Sequence, residues 1–395
     1  MSIGTGMNAQ QHVSPSSVRL FCLFLAFGAT LATGQLFGFT PLIHSSTESL
    51  GGGTALGLPI FAAGYALGML LLGPLAGVFG PRRILFLSLF FGGLMSFVAA
   101  ASPSVPFLLS TRFLEGLALG GFPPAAFVAA TQKVPPKLVL LSNSAMVFGL
   151  LGSAGLMGIF SRLLIHYTGW RTVLISYAIL LLAASIMAAL VSGTHPIPSA
   201  PAVPYPTFLA EIRVFAIALS CLCGATVMAS FVRINGSIQS GNHANAGLFL
   251  VLAIVLGLIA LFPVVSKFDP RHRRTVGLAM VLASYLPFGS QSPVSLLSLA
   301  LATVGATLAV PASIHIVVSS STRFKPAAIS LFTASLFAGG ALSGLFTTGI
   351  IHTGNNIFSY LLVLVCLVCL LVSTFLSITI SQSGRRAGSS APTTR

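Results

Sequence analysis

An arginine and a glutamate share one apolar segment in the first third of the chain. Arg112 and Glu115 are the charged residues between Phe107 and Ala130. Because they are three positions apart, they lie on the same face of a helix, where they can pair. An ionisable group near a bilayer centre costs roughly 2.5 to 3.5 kcal/mol on insertion scales, so such groups mark functional sites by default. Burial disfavours the charged carboxylate whereas the guanidinium favours it, a balance that suits reversible protonation of Glu115. The alternative is a permanently ionised structural pair.

The composition places this pair in a lipid bilayer. Of the 395 residues, 55% are hydrophobic and 6% are charged, with a mean hydropathy of +1.00, whereas soluble domains carry about 25% charged residues. The net charge of +15 comes from short basic clusters between apolar segments, so we predict no nucleic-acid partner. No His-rich or paired-carboxylate constellation points to an enzyme, and no filter or ring of charge points to a channel.

Apolar stretches long enough to span a membrane occur twelve times. The predicted fold is all-α, with twelve transmembrane helices in two six-helix bundles related by pseudo-symmetry. The first six predicted spans are 18–42, 56–76, 84–101, 104–130, 138–164 and 172–191. The second six are 208–232, 244–266, 275–288, 293–318, 327–351 and 357–380.

A Pro-rich segment separates the two sets of spans. Residues 192–207 predict a polyproline-like cytoplasmic linker between bundles that cover 18–191 and 208–380. Residues 1–17 predict a disordered cytoplasmic lead without a cleavable signal, and 381–395 predict a cytoplasmic tail. A shift of 189 residues aligns the loops after spans 2 and 8, as duplication of a six-helix unit predicts. It lays Pro74, Phe79, Pro81 and Arg82 over Pro263, Phe268, Pro270 and Arg271.

The loop charges predict the orientation. With both termini in the cytoplasm, nearly all of the 19 Lys and Arg residues fall on the inner face, as the positive-inside rule requires. The outer face receives Arg162, Arg171 and Arg233. We therefore predict a multi-pass membrane protein whose two termini lie in the cytoplasm.

The loop after the second span resembles a signature of the major facilitator superfamily of secondary transporters. The segment 73–85, GPLAGVFGPRRIL, keeps the family's glycines and arginines but has Gly77 where the family has an aspartate that helps lock the cytoplasmic gate. The resemblance implies a gate loop, with a plain positive-inside turn as the alternative. Its predicted members are Gly73, Gly80, Arg82, Arg83, Asp269 and Arg271.

The fourth span carries a second resemblance to this family. The sequence RFLEGLALGG from Arg112 to Gly121 is similar to the family's helix 4 signature, whose arginine is linked to proton coupling. Gly116 and Gly120 predict close packing on a neighbouring helix, and Pro123 predicts a bend. Static packing and rocking would both use these features.

Glycines recur every third residue in the fifth span. This pattern is similar to part of the helix 5 signature of the superfamily's proton antiporters, although the Gly-Pro pair is absent. It favours export and predicts a smooth face for a sliding neighbour, with ordinary close packing as the alternative. The glycines are Gly149, Gly152, Gly155 and Gly158.

The predicted function is proton-coupled efflux of a drug, sugar or metabolite, because the chain resembles the family's bacterial drug and sugar efflux branch. This resemblance also implies the bacterial inner membrane as its location. The alternative is proton-coupled or facilitated uptake of a small organic anion. Arg112 and Glu115 are the predicted coupling residues, and the proton is the expected coupling ion. We predict a monomer in the lipid bilayer with a small-molecule substrate, no organic cofactor and no metal, since the CxxC at Cys366 and Cys369 lies in an apolar span without partner ligands. The predicted substrate-cavity residues are Gln35, Tyr65, Asn143, Tyr177, Asn235 and Tyr285.

Overall fold

The computed structural model describes residues 15–133, 136–191, 214–239, 244–286, 294–320, 325–347 and 355–389. These residues form α-helices with two short 3-10 turns, Thr40–Leu42 and Thr54–Leu56. The helices of the first half are α1 (Pro15–Phe37), α2 (Ile43–Leu50), α3 (Gly57–Phe79), α4 (Pro81–Ala100), α5 (Val105–Leu119), α6 (Phe122–Lys133), α7 (Pro136–Thr168) and α8 (Trp170–Val191). Those of the second half are α9 (Val214–Gln239), α10 (Ala244–Val265), α11 (Pro270–Ala283), α12 (Val294–Ser320), α13 (Lys325–Thr347) and α14 (Asn355–Ser389).

Each predicted span has a counterpart among these helices, so the predicted fold class is confirmed. Within the described residues, 11 segments are long and apolar enough to cross a membrane. The fourth of them joins α5 and α6. The ninth predicted span corresponds to α11, which has 14 residues.

Several boundaries differ from the prediction. Helix α1 begins at Pro15, inside the predicted lead, and α14 continues to Ser389, inside the predicted tail. Helix α2 was not predicted, because its sequence IHSSTESL is short and polar. Residues 1–14, the linker 192–207 and residues 390–395 lie outside the described part of the chain.

Three arginines assigned to loops, Arg233, Arg273 and Arg274, are buried in helices. Arg233 lies inside α9, which extends beyond its predicted end at residue 232, and its guanidinium is 6.0 Å from the Phe358 ring centroid. Arg274 is buried in α11, which begins before the predicted start at 275, and its Nη1 donates to Ser220 Oγ at 3.3 Å. Arginine can bury the apolar stem of its side chain, so its charge alone does not place it in solvent.

The two halves repeat one packing scheme. Helices α1 and α7 pack together in the first half, as their counterparts α9 and α13 do in the second. The pairs α4–α8 and α3–α5 correspond in the same way to α11–α14 and α10–α12. Between the halves, α3 packs on α13 and α7 packs on α10. Exchanging the halves converts one of these interfaces into the other, which is the arrangement that a duplicated six-helix unit produces.

Candidate functional site

Two glycine pairs bring α3 and α5 into backbone contact. A Cβ atom added at Gly116 or Gly120 would meet a backbone carbonyl oxygen of α3, and one at Gly64 or Gly68 would meet a carbonyl oxygen of α5. Small residues permit this approach in a membrane, where helix association depends on van der Waals contact. The contact fixes the position of α5 and of its charged side chains.

The fourth span is broken rather than bent. Helix α5 ends at Leu119 and α6 begins at Phe122, so Pro123 and Pro124 occupy the first turn of a new helix. Proline is tolerated there because the missing N–H would have no intrahelical partner. The predicted bend at Pro123 is therefore a junction, across which Ala125 N donates to Gly121 O at 3.4 Å.

Arg112 and Glu115 form a fully buried ion pair in the first half. Arg112 Nη1 donates to Glu115 Oε2 and Nη2 donates to the backbone oxygen of Gln35, both at 2.7 Å. Both charged side chains are 0% exposed. The guanidinium lies between the rings of Phe39 and Phe61, 4.6 and 4.4 Å from their centroids. Stacking and hydrogen bonds together stabilise a cation away from water.

Polar atoms around this pair have unused hydrogen-bonding capacity. Within the described residues, Gln35 Oε1 and Nε2, Arg112 Nε and Glu115 Oε1 are buried without a hydrogen bond. Ser96 lies near Glu115 and donates to Leu174 O at 3.1 Å. An unmade buried hydrogen bond costs about 1–3 kcal/mol. Such a deficit in one cluster is a feature of functional sites as well as of strained ones.

The pair lies toward one end of the bundle and not at mid-span. One end carries the turns between α3 and α4 and between α10 and α11, and we call it the gate-loop end. The other carries the turn after α1 and is called the Thr40 end. Arg112 follows two turns after the start of α5 at Val105, and Gln35 and Phe61 also lie within about two turns of the Thr40 end.

A cavity of about 230 Å³ opens between the halves at the Thr40 end. The ends of α1, α3, α9 and α13 form its wall, which is largely apolar. Asn235 is the amide in this wall, and its Oδ1 is buried without a hydrogen bond among the described residues. The lining residues are Leu36, Phe37, Thr40, Ile43, Ala55, Leu58, Pro59, Val232, Asn235, Gly236, Gly340 and Gly344. We call this space the central cavity.

Aromatic rings connect the ion pair to the second half. Phe61, beneath the Arg112 guanidinium, stacks on Tyr65 with centroids 5.7 Å apart. Tyr65 meets Phe337 of α13 edge to face at 4.6 Å, and its hydroxyl lies 3.2 Å from Thr33 Oγ1. A shift of α13 against α3 would therefore be transmitted to Arg112 through the rings of Tyr65 and Phe61.

The predicted cavity residues have different locations. Asn235 lines the central cavity, whereas Gln35 and Tyr65 are not among its lining residues. The Tyr177 hydroxyl lies 2.8 Å from Ser161 Oγ inside the first half, and Tyr285 donates to Ser230 Oγ at 2.8 Å inside the second. Neither tyrosine lines the central cavity. The Asn143 side chain lies outside the described part of the structure.

The glycines of α7 form much of one interface between the halves. Gly149 faces Ala26 of α1, whereas Gly152, Gly155 and Gly158 face α10. At Gly155 and Gly158, an added Cβ would contact Leu248. A face without side chains lets the two halves approach closely at this interface.

The gate-loop residues position the start of α4. Gly80 has a φ of +85° between α3 and α4, a conformation that glycine adopts without a Cβ penalty. Arg82 Nη2 donates to the backbone oxygen of Ala189 at 2.5 Å, while Arg83 is exposed. Gly73 faces Ser330 of α13, across the interface between the halves.

The repeated loop in the second half contains a helix cap. Asp269 accepts from the backbone N–H of Arg271 at 2.7 Å, as an N-cap residue does. Its carboxylate is thus directed at the α11 backbone. At Gly77, where the family has aspartate, an added Cβ would meet no atom within 4 Å.

Sequence reasoning missed Phe39, Phe61 and Thr40. Phe39 and Phe61 hold the guanidinium, and Thr40 lines the central cavity. Aromatic residues in apolar helices are usually core residues, so their type and spacing gave no signal. Only the folded contacts show which rings lie on Arg112.

Comparison with known proteins places the chain in a family. The chain is 32% identical to the 4-hydroxybenzoate transporter PcaK of Pseudomonas aeruginosa over 174 residues, which are 43% of this chain and 38% of that protein. It is 30% identical to PcaK of Pseudomonas putida over 189 residues, 44% of this chain and 40% of the relative. It is also 30% identical to the gallate transporter of Pseudomonas putida over 128 residues, 32% of this chain and 28% of the relative.

The chain therefore spans about two fifths or less of the length of these relatives. A family profile matches a longer part of this chain than any of these three relatives does. Residues 22–288 match the Major Facilitator Superfamily. Since this match includes more than half of the chain, the protein belongs to the Major Facilitator Superfamily.

Proposed function

We propose that this protein is a secondary transporter that takes up a small aromatic carboxylate by alternating access. The observation that carries the proposal is the central cavity of about 230 Å³ between the halves, with Asn235 in its apolar wall. Drug-sized ligands occupy pockets of roughly 300–1,000 Å³, so this cavity suits a single-ring molecule. The apolar wall would hold the ring and the amide would bind a polar substituent.

The relatives support this substrate class. Their names give 4-hydroxybenzoate and gallate as transported compounds, and both compounds are aromatic rings that carry a carboxylate. With four acidic residues in the chain, few carboxylates are available to repel an anion. We infer that this chain accepts the same chemical class.

Uptake has more support than the efflux predicted from sequence. Efflux was inferred from the glycines of the fifth span, and these pack on α1 and α10. Close packing of the halves serves either direction of transport. The related proteins named above are transporters of aromatic acids, so the uptake alternative becomes the proposed function and the drug and sugar efflux branch gains no support.

Alternating access would use the two interfaces between the halves. The central cavity lies at the Thr40 end, whereas Gly73 meets Ser330 toward the gate-loop end. With both termini in the cytoplasm, as we propose from the loop charges, the Thr40 end faces outward in a bacterial inner membrane. Rocking of α3 on α13 and of α7 on α10 would then close the cavity and open the opposite end.

The substrate proposal is tested by initial uptake of radiolabelled 4-hydroxybenzoate into proteoliposomes. Uptake should be saturable, and gallate should compete, whereas 4-hydroxybenzyl alcohol, which lacks the carboxylate, should not. Asn235→Asp places a negative charge in the cavity wall and should raise KM at least tenfold. Ser237→Asp adds the same charge at an exposed position two residues away and serves as the matched control. Equal KM values for the two variants would refute the assigned cavity.

We further propose that transport is coupled to protons at Glu115. Support comes from its burial, its bond to Arg112 and its unbonded Oε1. Glu115→Gln should abolish substrate-induced proton movement, measured with a pH-sensitive dye inside the vesicles, and leave exchange of labelled for unlabelled substrate intact. Glu48→Gln, which changes an exposed carboxylate near His44, is the control. Proton movement that persists in Glu115→Gln would contradict this assignment and would leave the substrate proposal standing.

A further inference from the structure

A second cavity, of about 570 Å³, lies at the Thr40 end between α7 and α10. The last turns of α7 and the first turns of α10 form two of its walls, and the turn after α1 forms the third. We call it the vestibule. The polar part of its wall comprises Thr40, His44, Arg162, His166, Tyr167 and Asn245.

The charges on this wall are basic. Arg162 is half-buried, and both histidines are exposed. No acidic residue of the described chain lines the vestibule. Glu48 is outside the lining and lies 3.4 Å from His44 Nδ1, with both side chains largely exposed. A partly desolvated guanidinium attracts an anion more strongly than one in bulk water, because the effective dielectric constant is lower.

The vestibule adjoins the central cavity. Thr40 lines both spaces, so the two spaces lie on either side of one residue. Below the vestibule, Gly155 and Gly158 of α7 contact Leu248 of α10. Any movement between the halves at this contact would change the floor of the vestibule.

We propose that the vestibule is an anion-capture site in which Arg162 binds the carboxylate of an arriving substrate before the substrate enters the central cavity. This proposal rests on the proposed function, since the vestibule would bind the same substrate before the central cavity does. A guanidinium binds a carboxylate through two parallel hydrogen bonds. Charge in a cleft with low-dielectric walls raises the local concentration of counter-ions and the association rate.

The first test measures equilibrium binding of 4-hydroxybenzoate to the purified full-length protein in phosphatidylcholine nanodiscs. In the Asn235→Asp background, weaker binding should remain, because the vestibule is intact. Adding Arg162→Gln or Arg162→Met should weaken that remaining binding at least tenfold, whereas Arg162→Lys should retain most of it. The control is Arg171→Gln, which removes an equal charge at the same end, where the guanidinium lies 4.5 Å from the Trp170 ring and outside the vestibule.

The second test measures uptake with the native Asn235. Arg162→Gln should raise KM roughly three- to tenfold, leave the maximal rate unchanged and flatten the dependence on ionic strength, because steering by exposed charge is screened by salt. An unchanged KM and unchanged binding would overturn the capture site and leave the proposed function intact. Arg162-dependent binding without saturable uptake in the native protein would overturn the proposed function instead.

A lipid headgroup is the rival occupant, since it also presents an anion. Replacing part of the phosphatidylcholine with phosphatidylglycerol distinguishes the two sources. Substitution of Arg162 that weakens phosphatidylglycerol binding without changing 4-hydroxybenzoate binding would overturn the proposal. Loss of 4-hydroxybenzoate binding in nanodiscs without anionic lipid would support it.

Discussion

The fourth span and its counterpart in the second half show which features belong to the fold and which to a site. The 189-residue shift places Gly305 at the position of Gly116, and Leu301 and Val304 at those of Arg112 and Glu115. Gly116 faces the backbone of α3, and Gly305 faces Gly277 of α11. Both halves thus use a glycine in this span for close packing, but only in the first half are the two matching positions charged.

This difference distinguishes the glycines, which helix packing requires, from the ion pair, which helix packing does not require. A duplicated bundle needs small residues where helices touch, and these occur in both halves. It does not need an ion pair, since Leu301 and Val304 serve at the matching positions. A buried ion pair also contributes little net stability compared with apolar side chains. We therefore propose that the pair in α5 serves transport and not packing.

The largest expected effect comes from replacing one of the two charged residues of the ion pair. Arg112→Leu leaves the Glu115 carboxylate buried without its cation, which costs about 3–5 kcal/mol in buried pairs. The melting temperature of the purified protein should fall sharply and uptake should fall to background. Leu301→Ala, at the matching position in the second half, should keep uptake.

A double variant sharpens this prediction. Arg112→Leu with Glu115→Leu reproduces the apolar character of the second half and should recover most of the lost melting temperature, because no charge is left unpaired. Uptake should not recover. A stable double variant that transports normally would show that the pair is only structural.

A smaller effect is expected from filling the glycine contacts. Gly116→Ala places a Cβ against the α3 backbone and Gly305→Ala places one against α11, and overpacking typically costs about 1–3 kcal/mol. Both variants should melt at lower temperature. Gly116→Ala should also reduce the maximal rate of uptake, because α5 carries the ion pair.

Gly257→Ala is the control for both variants, since a Cβ at this position in α10 would meet no atom within 4 Å. It should leave the melting temperature and uptake unchanged. Equal loss of uptake in Gly116→Ala and Gly305→Ala would remove the proposed distinction between the halves.

The sequence predicted the spans because lipid imposes a local rule. A helix that crosses a bilayer needs about 20 apolar residues, and this requirement is visible without tertiary contacts. The family resemblance was also local, carried by residues 73–85 and by Arg112 to Gly121, and it was confirmed by the match over residues 22–288. Helix ends were less predictable, as Arg233 shows, because neighbouring helices decide how far a helix continues past its apolar core.

The candidate site was predictable only in part. The pairing of Arg112 with Glu115 follows from their spacing, whereas the central cavity combines side chains from four helices distant in sequence. A tyrosine in an apolar span gives no indication of the direction in which its hydroxyl points. Tyr177 and Tyr285 were therefore assigned to the cavity but bond inside their own halves.

The smallest expected effect concerns these hydroxyl groups and again compares the halves. Tyr65→Phe removes the contact with Thr33 Oγ1, and Tyr285→Phe removes the bond to Ser230 Oγ. Each loss should cost about 0.5–1.5 kcal/mol of stability and shift the melting temperatures similarly. Only Tyr65 also contacts Phe337 across the interface and stacks on the ring beneath Arg112. The hydroxyl contact with Thr33 Oγ1 holds the Tyr65 ring in this position, so its loss in Tyr65→Phe should lower the maximal uptake rate up to about tenfold, the factor that 1.4 kcal/mol represents. Tyr285→Phe should leave this rate unchanged, and an equal decrease in both would mean that the Tyr65 hydroxyl has no special part in positioning the rings between the halves.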